Sequence, residues 1–174
     1  MLGSSPFRCV AAALLALIVI EPAHAAPVAA ATPATAKAAL LHPLEILKKE
    51  DLDFGWVAPI TGAGTVVVNP ETNVTSATGG AVLVGGSPHA ALFTGAAKSN
   101  AVVIIRIPKQ PITITRVGGT ETMTVTNWTV QGLDKRAVAA QTSFDFRVGA
   151  TLFVNANQAD GLYVGTFDVS IQYP

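Results

Sequence analysis

The chain has 174 residues but one cysteine, two tryptophans and two tyrosines, and only 13% of its side chains are charged. A single cysteine closes no internal disulfide and builds no cysteine zinc site. Eleven basic and eleven acidic groups cancel, so no cationic excess exists to neutralise a phosphate backbone. Nucleic acid is therefore not an expected partner. No long run of like charge is present, and half of the residues are apolar. The length allows one domain, or one domain plus a tail.

The parts of a catalytic site are equally scarce. His42 and His89 lie far apart, each beside a proline, and a metal or catalytic centre needs several convergent ligands. Asp51 and Asp53 share one side of an extended chain. They could hold a hard cation, but Glu50 is their only acidic neighbour, and calcium wants six to eight oxygens; a polar edge face is the simpler reading. Gly62-Ala63-Gly64 and Gly79-Gly80 lack the Lys-Ser/Thr that follows in a phosphate cradle, so they read as turns. Asn73-Val74-Thr75 and Asn127-Trp128-Thr129 fit the glycosylation pattern, which is common by chance. Trp128 could stack on a sugar, yet it fits the core or rim of a sandwich better. No catalytic residue, metal or cofactor is expected, and the chain does not read as an enzyme. A hydrolase ranks last among the readings, and no ligand can be named.

What is present begins with a targeting signal. Arg8 supplies a positive n-region, Cys9 to Ile20 (CVAAALLALIVI) an apolar run, and Ala23-His24-Ala25 a small-x-small cleavage pattern. Twelve apolar residues fall short of the roughly 20 that span a bilayer. Residues 1–25 therefore read as a secretory signal peptide cleaved after Ala25, and the chain as exported. Without Arg8, Cys9 and Glu21, the remaining 149 residues carry ten basic groups, ten acidic groups and no cysteine. Stability must then come from packing and strand pairing.

Residues 26–41 (APVAAATPATAKAALL) form an Ala/Pro-rich extension that cannot bury enough surface to fold alone. It reads as a linker, as an extended strand with Ala34, Ala36, Ala38 and Leu40 on one side, or as a helix over 34–41. From Leu44 onward the pattern is β. Short runs such as Thr65–Val68, Ala81–Val84 and Ala101–Ile107 lie between Gly and Pro turns. Ile112–Val125 reads as a hairpin around Val117-Gly118-Gly119. Gly132–Arg136 reads as a polar loop, and Ser143–Val154 as two strands or one strand kinked at Gly149. Leu162–Tyr173 reads as a final strand, with Tyr163, Phe167, Val169, Ile171 and Tyr173 on one face. Strands at this spacing predict an antiparallel sandwich or barrel over 42–174.

Leu52-Asp53-Phe54-Gly55, together with the ending Gly161-Leu162-Tyr163-Val164-Gly165-Thr166-Phe167-Asp168-Val169-Ser170-Ile171-Gln172-Tyr173, resembles the DUF4402 family of small exported proteobacterial proteins. The Gly-Thr-aromatic turn and the terminal aromatic also resemble the archaic (spore-coat-U-like) chaperone–usher pilins. That second resemblance implies an immunoglobulin-like β-sandwich lacking its last strand, edged by Tyr163, Phe167, Val169, Ile171 and Tyr173. It implies a donor strand, Ala34, Ala36, Ala38 and Leu40, lent by a neighbouring copy. It also implies a periplasmic chaperone and an outer-membrane usher as further partners, and a surface fibre (pilus or fimbria) as the product. The alternative is a self-contained exported sandwich binding carbohydrate or matrix, with its N-terminal strand paired in cis. Alanine donors contribute modestly: four inward methyls supply roughly 3 kcal/mol at about 0.8 each. Pro33 cannot donate to a ladder, which places the usable donor at 34–41. Pro174, after the terminal aromatic, departs from the pilin ending.

Overall fold

The computed structural model describes residues 37, 38, 40, 43–138 and 142–174. Residues 1–25, read as a signal peptide, and Ala34 and Ala36 lie outside the described residues. Leu40–Pro174 is one compact unit. Of the unit before it, Met1–Ala39, only Lys37 and Ala38 are described, and both are exposed.

The unit is all β, as its alternating apolar runs predict. Its strands are β1 (Glu45–Glu50), β2 (Trp56–Asn69), β3 (Val74–Gly85), β4 (Ala91–Ala96), β5 (Val102–Arg106) and β6 (Ile112–Arg116). They continue with β7 (Thr122–Val130), β8 (Lys135–Ala137), β9 (Ser143–Val154), β10 (Tyr163–Val164) and β11 (Ser170–Gln172). Every pairing is antiparallel. The polar stretch read as a loop after Gly132 contains β8, because Lys135 and Arg136 pair with Ile104 and Val103.

One sheet runs β1-β4-β9-β7-β6-β10, with the β2–β3 hairpin attached to β9; the other runs β11-β5-β8. Six of these strands fall in the immunoglobulin order. β1, β4, β9 and β7 correspond to strands A, B, E and D of one sheet, and β5 and β11 to the adjacent C and F of the other. In that scheme the seventh strand lies beside F. Among the described residues no strand occupies that place.

The long strand β9 serves two neighbours on one side. Ser143–Val148 pairs with β4, and Thr151–Val154 with β2. Gly149 sits where the change occurs. A Cβ there would collide with the Val68 carbonyl oxygen and crowd the Pro70 ring, so the close approach of β2 requires glycine. The hairpin leaves β2 through an Asx turn, in which Asn69 Oδ1 accepts the Glu71 N–H at 2.8 Å. Asn73 follows with φ 54°, and its Oδ1 accepts the Ala90 N–H at 2.8 Å.

The core forms three buried clusters. Val66, Val125, Leu152 and Val154 lead the first; Phe93, Ile105, Phe146 and Val148 the second; Ala97, Val103 and Val138 the third. Phe93 and Phe146 stack at 5.5 Å, and Phe146 is fully buried. Gly149→Ala should therefore destabilise the sandwich by about 1–3 kcal/mol through overpacking. Thermal denaturation by circular dichroism will show a lowered Tm, whereas an unchanged Tm would mean that the β2–β9 approach is loose.

Candidate functional site: an open seam

The last strand is built in two pieces. Tyr163 and Val164 pair with Arg116 and Thr115 of β6, whereas Ser170–Gln172 pairs with Arg106–Ile104 of β5. Between these stretches, five residues of the last strand (165–169) face eight of its partner (107–114), so the register slips by three. Pro108 and Pro111 lie in that interval. Neither can donate to a ladder, which accounts for the interruption. The single strand expected over Leu162–Tyr173 is thus one path with a break in its hydrogen bonding. Because β6 also pairs with β7, the last strand spans the two sheets on this side, bonded to β6 at one end and to β5 at the other.

Among the described residues the opposite side is not joined: β1 pairs only with β4, and β11 only with β5. The facing edges of β1 and β11 run close together, and among the described residues no backbone hydrogen bond links them. Leu44 and Tyr173 both pack on the third core cluster. Leu52 and Phe54 share a cavity with Leu162 and Tyr163. The two flanks of the seam therefore run antiparallel along the length of the sandwich.

Side chains along the seam face inward without full cover. Phe167, Val169, Ile171 and Tyr173 are half-buried, while Asp168, Ser170 and Gln172 between them are exposed. Phe167 lies 4.6 Å from the Trp128 ring and 6.4 Å from Phe93. Val169 and Ile171 pack on the second cluster, and the Tyr173 hydroxyl accepts the Lys98 N–H at 3.3 Å. On the other flank Ile46 stands opposite Gly95 and Lys48 opposite Phe93. Directly paired residues share a face of the sheet, so Ile46 and Lys48 are on the core side. Ile46 is nevertheless 37% exposed.

The seam opens at one end into a cavity of about 470 Å³. Leu52, Phe54, Ile114, Met123 and Leu152 line its interior; Trp56, Asp53, Asp160 and Leu162 also border it. Trp56 and Leu162 are more than two-thirds exposed. A polar frame holds the wall. The Tyr163 hydroxyl donates to the Ala159 carbonyl at 2.7 Å, and Gln158 Nε2 donates to that hydroxyl at 2.7 Å. Arg116 grips Glu121 with Nε and Nη2 at 2.7 and 3.0 Å, and its Nη1 reaches the Asp160 carbonyl at 3.4 Å. Those bonds from Arg116 hold the Glu121 carboxyl at about 2, and the pairing raises the Arg116 pKa in turn.

The expected seam residues thus divide. Phe167, Val169, Ile171 and Tyr173 line the run beside β11, and Tyr163 borders the cavity at its far end. Of the donor positions, Ala38 is exposed and Leu40 fully so. Trp128, partly buried, packs between core clusters against Phe167. Asp53 forms a backbone bridge with His89 and caps Gly55 N–H at 2.7 Å, while Asp51 binds Lys48 at 2.5 Å. No group of three metal-ligating side chains exists among the described residues. Sequence reading missed the cavity, including Trp56, Gln158 and Leu162. It also missed the Arg116–Glu121 pair, whose signal is a pair of opposite charges flanking Gly118-Gly119.

The fold and its seam define an immunoglobulin-type sandwich open along one side. Residues 44–173 match the profile of a family described as Domain of unknown function (DUF4402). This chain belongs to that family. No curated protein and no solved structure matches it.

The Arg116–Glu121 pair carries a pH signature. Its carboxyl has a folded pKa of about 2 against an ordinary 4.5, so the stabilisation it adds is complete above about pH 4.5. It is lost as the pH falls towards 2. A carbon-detected titration should place the Glu121 midpoint near 2 in the native chain and near the ordinary carboxylate value in Arg116→Ala. An ordinary midpoint in the native chain would mean that the pair is not formed in solution.

Proposed function

We infer that this protein is a structural subunit of a surface fibre, a pilus or fimbria, exported by its signal peptide and polymerised by donor-strand complementation. The observation that carries the reading is the last strand, paired on one edge only, whose inward row is half-covered and faces a core-side Ile46 that is also uncovered. A strand laid between β1 and β11 would receive backbone hydrogen bonds from β11 and bury Ile46, Val169 and Ile171. This is the chemistry of β-strand addition. The extension bearing Ala34, Ala36, Ala38 and Leu40 is the donor, presented to a neighbouring copy. The complete exposure of Leu40 supports donation in trans, since this large apolar donor side chain covers nothing in its own sandwich. Before assembly the open seam needs a temporary strand, the role of a periplasmic chaperone, and an outer-membrane usher exchanges the two. Catalysis has no part in this function.

A second reading has one observation in its favour. The cavity beside Trp56 combines an exposed indole with Asp53, Gln158 and Asp160 at its rim, a setting that suits a carbohydrate ligand of a free-standing exported module.

The two readings separate by experiment. A synthetic peptide of residues 34–41 should raise the Tm of the chain spanning 26–174 by several degrees. A peptide with Ala36→Asp and Leu40→Asp should not. A stable monomer indifferent to both peptides would contradict strand donation and favour the free-standing module.

A further inference from the structure

The outer face of the large sheet divides into two halves of different chemistry. Directly paired residues share a face. Across β1, β4 and the first half of β9, the solvent side carries Glu45, Glu50, Asp145 and Arg147. Across β3, β2, the second half of β9, β7 and β6, the pairing sets two uncharged rows side by side. In the first row Thr78 stands opposite Thr65, Thr65 opposite Phe153, Phe153 opposite Thr124, and Thr124 opposite Thr113. Ser76, Val67, Thr151 and Thr126 form the second.

The alternate residues Val66, Leu152 and Val125 are buried, which puts the first row on the outer side. Thr78, Thr124 and Thr113 are exposed, and Phe153 at the centre is 45% exposed. Five strands at a spacing of about 4.8 Å make the row about 19 Å long. The Thr65 and Thr78 hydroxyls are hydrogen-bonded at 2.8 Å, which holds one end of it. Strand propensity accounts for threonine at such positions. It accounts neither for an exposed aromatic at the centre nor for the confinement of charge to the other half of the face.

We propose that this uncharged half binds a neutral glycan chain, with a sugar ring stacked on Phe153 and its hydroxyls bonded to the threonines on either side. The occupant follows from the chemistry of the row. A pyranose presents C–H groups on its faces and hydroxyls around its rim. Phe153 offers an apolar plane to the first, and each threonine hydroxyl can donate one hydrogen bond to the second and accept two. Other occupants fit poorly. Nucleic acid and an anionic membrane both need cations, and neither row has one. The centres of protein–protein interfaces are rich in Trp, Tyr and Arg and poor in Ser, Thr and Val, the reverse of these rows. The site lies on the opposite side of the strands from the Trp56 cavity, whose interior includes Leu152, Met123 and Ile114. It serves a fibre subunit and a free-standing module alike, so it does not depend on strand donation.

Affinity electrophoresis of the chain spanning 26–174 should show retardation in gels containing at least one of hydroxyethyl cellulose, dextran and mannan. Phe153→Ala should weaken that binding about tenfold, Phe153→Trp should keep it, and Trp56→Ala should leave it unaltered. Threonine-methyl spectra report the site without any substitution. Oligosaccharides of the retarding glycan should shift Thr65, Thr78, Thr113 and Thr124 and leave Thr94, on the charged half, unmoved. Binding lost with Trp56→Ala but kept with Phe153→Ala would place the glycan in the cavity and overturn this site. Unchanged migration in all the gels would overturn it outright.

Discussion

The architecture depends on a hydrogen-bonding constraint: a β-strand has two edges, and among the described residues the last strand of this sandwich satisfies only one. Its apolar row still needs cover on the inner face. Burying a backbone edge without partners costs about 1–3 kcal/mol for each unmade hydrogen bond. The seam therefore stays wet or acquires a strand. Half-burial of Phe167, Val169 and Ile171 is the visible form of that conflict, and Ile46 registers it from the other flank.

The contrast between the two sides of the sandwich is instructive. On the closed side the last strand bonds β6 of the large sheet through β10 and β5 of the small sheet through β11, which links the layers across the register slip at Pro108 and Pro111. Gly149 allows a related economy in β9, where one strand serves β4 and then β2. The chain thus spends its long strands on the closed side and on the β2–β3 hairpin. The consequence is a body whose core is well packed around Phe146 and thinly covered along one margin.

Much of this was legible in the residues. Alternation placed Phe167, Val169, Ile171 and Tyr173 on one face. Ser143–Val154 could be read as a strand kinked at its glycine, and the turn at Asn69-Pro70 was marked by its dipeptide. Other features left weaker traces. β8 lies in a charged stretch whose strand character comes only from pairing with β5. The length of β2 was hidden by Pro59 and by Gly62-Ala63-Gly64, which look like breaks and act as a bulge. The cavity is assembled from three segments distant in sequence, and Arg116 meets Glu121 only because the hairpin brings them across the glycine turn. Trp128 fits a core position by type, but only the fold shows Phe167 beside it.

An open seam makes the most direct claim about backbone amides, which can be followed one at a time. Hydrogen exchange should be measured over 162–172 in the chain bearing Ala36→Asp and Leu40→Asp, with and without the wild-type 34–41 peptide. Amides directed into the seam should exchange rapidly in the variant alone and become protected when the peptide is added, while Ser143–Val148 stays slow throughout. Protection of the last strand equal to that of β9 without any added peptide would show the seam already closed and contradict the account.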